Sequence, residues 1–402
     1  MTKSWPRFVA ILLAVWMTAS STLGADSEAR PVENSTEVPP ALAAAINTLL
    51  QEHHVPGASV AVMDGYRILW AQGFGVASLT GAQPVTVHTR FQACSLSKPV
   101  AVRALLTLVD AGKVELDQPA NRYLKRWQIP NNSTFKGDII TVRQLVTHSA
   151  GLSASFYPGY RPGEKLPDTL TDMLNGEPPT TSEPVEPIFE AGSQWRYSGG
   201  GLLVVQLLIE DVTGQAFAAF MQSTVLNPLQ MADSTYVSPY PEALLAVSAV
   251  GYAQDGTLVP GGYREYPAAA VAGLWTTASD LARSMIALQK NVNGLEPGFV
   301  SRTLARDMLT PQETGLPPQI EKIPTFTPQM GLGYLLEGRD PNTGKPTRFW
   351  HWGDNPGYKA LQVATLEGGR GVVILTNSDA GVAVTRPIAE RVADYYGWPL
   401  EE

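Results

Sequence analysis

The chain is poor in the residues that build covalent cross-links and metal centres. It has one cysteine, Cys94, so no disulfide can form within the chain. Its five histidines include the adjacent pair His53 and His54, and neither an H-E-x-x-H motif nor a Cys/His cluster occurs. The sequence thus argues against a disulfide-stapled scaffold and a catalytic zinc site, and it gives no reason to expect a cofactor.

Charge is also scarce. Charged residues form 16% of the chain, below the usual share of about a quarter, which excludes a disordered polyelectrolyte. With 29 Lys and Arg against 37 Asp and Glu, the net charge is −8, and no basic run offers a surface for nucleic acid or anionic lipid. Hydrophobic residues, by contrast, form 44% of 402 residues, enough for a large core. We expect a compact enzyme that acts on small molecules, of undetermined oligomeric state.

The first 25 residues have the pattern of a secretory signal peptide. Lys3 and Arg7 precede an apolar stretch at residues 8–18, and small residues end the segment at Ala25. The apolar stretch is shorter than the ~20 residues that a membrane-spanning helix needs. We expect a cleaved signal, no stable membrane span after its removal, and a periplasmic or secreted protein; the alternative is an uncleaved N-terminal anchor.

Apolar periodicity predicts α/β structure at both ends of the mature chain and helices between them. After a spacer at 26–40, residues 41–115 form the first part of an α/β domain, residues 116–264 a mostly helical insertion, and residues 265–402 the second part. A hairpin is predicted around Asp64-Gly65, because both central residues of such a turn need positive φ.

The individual elements follow from the same patterns. Helices are predicted at residues 41–54, 99–111, 202–212, 277–291 and 385–396, and strands at 58–63, 66–71, 332–336, 348–352, 360–366 and 371–376.

The first of three short motifs is S-x-x-K, from Ser95 to Lys98. A three-residue offset in a helix brings both side chains to one face. A serine hydroxyl is a weak nucleophile at neutral pH, and an amine whose pKa is lowered can act as its base. A helix start at Ser95 would also direct free backbone N–H groups at the carbonyl under attack. The pattern recurs from Ser133 to Lys136, in a polar stretch that we interpret as a loop.

The second motif is Tyr197-Ser198, followed by the triple glycine at 199–201. It is either plain turn chemistry or a phenol placed to exchange a proton with Ser95. The phenol pKa, near 10, would fall if Lys98 stayed cationic beside it. The residues alone do not decide whether Lys98 or Tyr197 accepts the serine proton.

The third motif, His351-Trp352-Gly353-Asp354, ends a predicted strand. Period-two alternation puts His351 and Gly353 on one face and Trp352 on the other. His351 would then face the site, and Gly353 would allow a ligand's backbone or acyl group to approach the strand closely. The alternative is a strand histidine half exposed to water.

In order and spacing, the three motifs resemble the serine β-lactamase and penicillin-binding protein superfamily. The closer resemblance is to the branch of class C β-lactamases, D,D-peptidases and family VIII carboxylesterases, supported by the segments at 145–152 and 273–282 and by Pro356-Gly357-Tyr358. The resemblance implies an α/β (α+β) fold: an antiparallel sheet flanked by helices, built from both chain ends, with an inserted mostly helical domain.

The resemblance also implies roles for the motif residues. Ser95 would be the nucleophile, Lys98 its base partner and Tyr197 the second proton-transfer group. His351, which stands where relatives often carry lysine, would shape the pocket and its charge. The backbone N–H groups of Ser95 and Asp354 would form an oxyanion hole.

Two departures from the family pattern argue against strong β-lactamase activity. Gly199 stands where relatives often have an asparagine that holds the acylamino group of the substrate. His351 replaces a lysine whose permanent charge attracts a carboxylate. We expect an exported serine hydrolase that forms an acyl-enzyme with ester or amide (peptide or β-lactam-like) substrates; esterase, peptidase and weak β-lactamase activities remain open.

Three other interpretations are less favoured. An α/β-hydrolase lacks its G-x-S-x-G motif here. A cysteine hydrolase built on Cys94 and His148 conflicts with Cys94 as a buried small residue. A catalytically weak penicillin-binding or peptidoglycan-fragment-binding protein is possible on the same fold, although the intact motifs argue against it. Aromatic residues that flank the motifs are candidates for an acyl subsite: Phe156, Tyr157, Tyr160 and Trp195.

Overall fold

A computed structural model describes residues 37–296, 298–312, 316 and 329–398, so the predicted signal peptide lies outside the described residues. The strands are β1 (Gly57–Asp64), β2 (Arg67–Ser78), β3 (Gln83–Pro84), β4 (Phe91–Gln92), β5 (Trp275–Thr276), β6 (Gln329–Met330), β7 (Leu335–Glu337), β8 (Arg348–Asn355), β9 (Tyr358–Thr365) and β10 (Gly371–Thr376). The helices are α1 (Pro40–Glu52), α2 (Ser97–Asp110), α3 (Val142–Thr147), α4 (Leu170–Asn175), α5 (Gly199–Thr213), α6 (Phe217–Met221), α7 (Glu242–Leu245), α8 (Ala269–Ala272), α9 (Ala278–Asn293), α10 (Arg302–Met308) and α11 (Thr385–Tyr396).

The described strands form one large antiparallel sheet, in the order β3-β2-β1-β10-β9-β8-β7-β6, and a small pair of β4 with β5. β1 from the first part of the chain pairs directly with β10 from the last part. The predicted fold class, a sheet built from both chain ends and flanked by helices, is confirmed.

Both faces of the central strands are buried, which explains why β1 and β10 are nearly continuous apolar runs. Alternate residues face two different cores. Val60 and Val62 of β1 pack with the terminal helices α1 and α11, whereas Ala61 and Met63 face the larger core that contains α2, α5 and α9. The larger core carries the candidate site.

The first hairpin turns one residue later than predicted. Asp64 pairs with Arg67, so the central pair is Gly65-Tyr66, with φ of 57° and 61°. The Asp64 carboxylate accepts the Gly65 N–H at 2.7 Å, and the Tyr66 hydroxyl accepts the Gly368 N–H at 3.1 Å. These contacts outside the dipeptide hold a tyrosine in a left-handed conformation that it otherwise rarely adopts.

The triple glycine belongs to a helix and not to a turn before it. α5 begins at Gly199, and the Ser198 hydroxyl caps it by accepting the Gly201 N–H at 3.1 Å. A Cβ at Gly200 would lie 2.8 Å from the Ser153 carbonyl oxygen, and one at Gly201 would lie 3.0 Å from that of Leu145. Close backbone packing therefore requires the glycines.

Other boundaries shift by a few residues. α2 begins at Ser97, two residues before the predicted start, and β7 begins at Leu335 because a turn occupies the residues before it. β10 and α11 have the predicted bounds. Within the described ranges, no single helix has the length and apolarity to cross a bilayer. α5 and the segment Phe217–Leu226 meet the length and apolarity criteria only when taken together, and the two are bent by 80° relative to each other.

One arginine in the larger core is buried with few partners. Arg103 of α2 is fully buried, its Nη2 donates to the Tyr334 hydroxyl at 3.4 Å, and its guanidinium lies 4.8 Å from the Phe299 ring centroid. Its Nε and Nη1 have no hydrogen-bond partner in the described structure. A buried charge without an anion destabilises a fold, because its desolvation is not compensated.

We therefore expect Arg103→Met to leave the free energy of unfolding unchanged or to raise it by about 1 kcal/mol or more, because an apolar chain of similar length replaces the charge. Urea unfolding midpoints measure the change. In the same helix, Leu105→Ala is the reference, with an expected loss of about 2–5 kcal/mol. A large loss on Arg103→Met would contradict the assignment of an uncompensated charge.

Candidate active site

Ser95 is the accessible point of an otherwise buried segment. Every residue from Phe91 to Leu106 is buried except Ser95, which is half-buried. It lies in a 3₁₀ turn (Cys94–Leu96) that leads into α2, and Cys94 has a left-handed φ of 53°. For a non-glycine residue this conformation stores strain, as is common at functional sites. The backbone is bent so that one hydroxyl reaches solvent.

The Lys98 amine contacts that hydroxyl directly. Lys98 Nζ donates to Ser95 Oγ at 2.8 Å and to the Val271 carbonyl oxygen at 2.8 Å. The side chain is 1% exposed, and burial lowers the Lys98 pKa from 10.5 to about 7. A substantial fraction of Lys98 is thus a neutral amine near neutral pH, able to accept a proton.

Tyr197 lies over the same amine, with Lys98 Nζ 4.9 Å from its ring centroid. The Tyr197 hydroxyl has no hydrogen-bond partner in the described part of the chain. Burial raises the pKa of this phenol above its ordinary value, although the nearby Ser95 hydroxyl opposes the rise. The condition for a lowered phenol pKa, a permanently cationic Lys98, is not met, because the Lys98 pKa is about 7 and desolvation dominates at Tyr197.

His351 is fully buried, so the alternative of a strand histidine half exposed to water is wrong. Its Nδ1 lies 2.6 Å from the Trp352 carbonyl oxygen, which can only accept, so Nδ1 carries the proton. Burial, with a contribution from Lys98, lowers the His351 pKa to about 3. His351 therefore adds no positive charge to the site.

Gly353 allows a close approach of the chain itself, and the approach of a ligand to this strand stays a prediction. A Cβ at this position would lie 2.7 Å from the Ala93 carbonyl oxygen and 2.9 Å from the Cys94 Cβ. The absence of a side chain lets β8 pack directly against the turn that carries Ser95. Gly353 thus fixes the distance between two parts of the site.

The Asp354 side chain forms an ion pair with Lys359 at 2.8 Å. The direction of its backbone N–H follows from the strand pairing. The bond from Leu366 N–H to the Thr347 carbonyl oxygen sets the alternation of the β8–β9 ladder. By this alternation the Asp354 N–H points away from β9, on the edge that β7 leaves open beyond Trp350.

Aromatic rings surround Tyr197. Ring centroids lie 4.5 Å away for His148, 5.3 Å for Trp352, 6.0 Å for Phe156 and 6.1 Å for His351. Among the four aromatic residues proposed for a subsite, Phe156 is 56% exposed and faces this region, while Tyr157, Tyr160 and Trp195 are buried. An exposed apolar ring, that of Phe156, therefore lies beside the phenol.

Position 199 is tightly packed around the glycine that replaces the asparagine often found in relatives. A Cβ on Gly199 would lie 3.0 Å both from the Ser155 carbonyl oxygen and from the Tyr157 ring. The departure noted in the sequence is thus built into the packing.

The structure also locates the residues of two less favoured interpretations, the second S-x-x-K motif and the Cys94–His148 pair. Ser133 and Lys136 are exposed in a loop, as interpreted. Cys94 is fully buried, its thiol donates to the Gln92 and Tyr358 carbonyl oxygens, and burial raises its pKa. His148, considered only as a partner for Cys94, instead contacts Tyr197; its position in the family-like segment 145–152 was the signal that pointed to it.

Comparison with known proteins identifies the family of the chain. The Beta-lactamase family matches residues 42–396. The chain is 28% identical over 392 residues to Esterase EstB of Burkholderia gladioli, covering 88% of this chain and 94% of the esterase.

Solved structures share the fold. The octameric penicillin-binding protein homologue from Pyrococcus abyssi has a TM-score of 0.70 at 22% identity and covers 89% of this chain and 77% of its own. A class C β-lactamase has a TM-score of 0.67 at 22% identity, covering 90% and 97%. With a family match over nearly the whole described chain, this protein belongs to the β-lactamase family, within the serine β-lactamase and penicillin-binding protein superfamily.

Proposed function

We propose that this protein is a serine esterase that hydrolyses uncharged esters through a covalent acyl-enzyme on Ser95. The observation that carries the proposal is the 2.8 Å contact between Ser95 Oγ and a buried Lys98 amine whose pKa is near 7. A hydroxyl and a partly neutral amine at this distance form an activated nucleophile.

Acylation follows from these two groups. Ser95 Oγ attacks the ester carbonyl carbon while its proton passes to the Lys98 lone pair, and the Val271 carbonyl oxygen keeps the amine oriented. The C–O bond of the tetrahedral intermediate then breaks, and the leaving alcohol takes a proton. Tyr197 supplies that proton and regains it from Lys98, because its raised pKa keeps the phenol protonated until then.

Deacylation reverses the proton transfers. Water attacks the acyl carbon and Lys98 accepts its proton; Lys98 then passes a proton to Ser95 Oγ, which leaves as the hydroxyl while the acid is released. We assign the oxyanion hole to the backbone N–H groups of Ser95 and Asp354. The Asp354 N–H points away from β9, beyond the last β7–β8 pair at Trp350, and this direction supports the assignment.

The charges around the site favour an uncharged ester over a β-lactam or a peptide carboxylate. His351 is neutral, and Lys359 is occupied by Asp354 and by Asp379 at 2.5 Å. The exposed Phe156 ring offers an apolar contact for the substrate. The similarity to an esterase over nearly the full length of both chains supports the same choice.

We further propose, from the sequence pattern of residues 1–25, that the enzyme is exported and acts in the periplasm or outside the cell. The N-terminal sequence of the chain recovered from the periplasm or medium tests this: an intact Lys3 on that chain would contradict cleavage.

The nucleophile is tested with Ser95→Ala. Hydrolysis of p-nitrophenyl acetate and labelling by a fluorophosphonate probe should both be lost, because no other hydroxyl contacts Lys98 in the described structure. The matched control is Ser133→Ala, which alters the second S-x-x-K in its exposed loop and should retain both signals. Equal loss in the two variants would refute the assignment, and labelling without turnover in the wild type would favour the penicillin-binding alternative.

The pH dependence tests the base. We expect kcat/KM to rise about tenfold per pH unit below the Lys98 pKa of about 7 and to level off above it, because the base must be unprotonated. The histidine pKa values at positions 148 and 351 are lowered and the Tyr197 pKa is raised, so these groups do not titrate in this range. If the rise of kcat/KM with pH disappears in His351→Gln, the titrating group is the histidine and not Lys98.

Charge selectivity is tested with two esters of similar size. We expect mono-p-nitrophenyl succinate, an anion, to have a kcat/KM at least roughly fivefold below that of p-nitrophenyl butyrate, because His351 is neutral and Lys359 is already paired with Asp354 and Asp379. Nitrocefin, also an anion, should be turned over poorly. Equal rates for the two esters would show that site charge does not select the substrate.

A further inference from the structure

His148 contacts four consecutive residues that end at the cap of α5. Its carbonyl oxygen accepts the Arg196 N–H at 2.9 Å, and its Nδ1 accepts the Ser198 N–H at 3.2 Å. Its ring lies 4.5 Å from that of Tyr197, tilted by 38°, and edge-on to Trp195 at 6.1 Å. His148 thus forms hydrogen bonds with the residue before Tyr197 and with the residue after it.

Tyr197 needs such support, because its hydroxyl has no partner of good hydrogen-bond geometry in the described structure. Its polar neighbour, the Ser95 hydroxyl, is the group that reacts and is not a fixed anchor. Its position over Lys98 depends on the backbone on either side of it and on the ring against which it packs. His148 supplies contacts of both kinds.

The fold holds His148 in an unusual conformation to do this. The residue ends α3 with a left-handed φ of 59°, and the helix before it begins with a complete capping box between Thr141 and Gln144. The side chain is 2% exposed. A left-handed histidine is uncommon and is maintained only where surrounding contacts determine it.

The ring is a hydrogen-bond acceptor only while Nδ1 is unprotonated. Burial and the neighbouring Lys98 and His351 lower the His148 pKa well below its ordinary value. Tyr197 and Trp195 close the remaining sides with uncharged rings. His148 is thus neutral over the working range and always available to the Ser198 N–H.

We propose that His148 is a positioning residue that clamps the Tyr197 segment and sets the phenol over Lys98 and Ser95. The inference rests on the proposed serine esterase function. His148 makes two kinds of contact, the hydrogen bond to the Ser198 N–H and the packing of its ring against Tyr197. A substitution can remove either contact alone.

Two substitutions separate these contributions. His148→Asn retains an acceptor near the Nδ1 position and tolerates left-handed φ, whereas His148→Phe retains a ring but has no acceptor. We expect His148→Phe to lower kcat for p-nitrophenyl acetate about ten- to hundredfold with little change in KM, because a displaced proton donor slows the chemistry more than binding. His148→Asn should recover most of that kcat.

His54→Phe is the matched control, because His54 is also a left-handed histidine, with a φ of 53°, but is exposed at the end of α1. It should keep wild-type kcat. If His148→Phe does not fold, His148→Gln replaces it, since its amide lies one carbon farther from the Ser198 N–H; it should also lose kcat.

Equal kcat in the Asn variant and the Phe or Gln variant, or a loss confined to KM, would overturn the positioning role. Failure of the proposed function would give different results. The wild-type protein would not hydrolyse the ester, and the Ser95→Ala variant would be labelled as strongly as the wild type.

Discussion

A primary amine buried beside a hydroxyl is the constraint on which the site depends. Lys98 is removed from water, forms no ion pair among the described residues and has only the Val271 carbonyl oxygen and the Ser95 hydroxyl as hydrogen-bond partners. Desolvation without a counter-ion lowers the amine pKa into the neutral range. A carboxylate partner would restore the charge and remove the base.

Distant parts of the chain must be brought close for this environment to exist. Gly353 lets β8 contact the turn before Ser95, and the glycines at the start of α5 let that helix approach the backbone of neighbouring segments. In both places a Cβ would meet backbone atoms at 3.0 Å or less. Backbone atoms cannot move aside as a flexible side chain can, so these contacts limit what each position accepts.

The sequence predicted well those features that depend on near neighbours. β10 and α11 have the predicted bounds, since their apolar patterns are unambiguous. It placed the first hairpin turn one residue early, because the loop at Gly368 helps to hold Tyr66 in its unusual conformation. It did not predict that Gly353 packs against the Ala93–Cys94 backbone, because a glycine indicates a close approach but not which group approaches.

The sequence by itself determined that Ser95 and Lys98 share one face, since a three-residue offset in a helix is local geometry. It also determined the family-like order of motifs and the departures at Gly199 and His351. Only the tertiary structure decided the charge states of Lys98 and His351 and the contact of His148 with Tyr197. Burial and contacts between distant segments set these properties, and neither leaves a periodic trace in the chain.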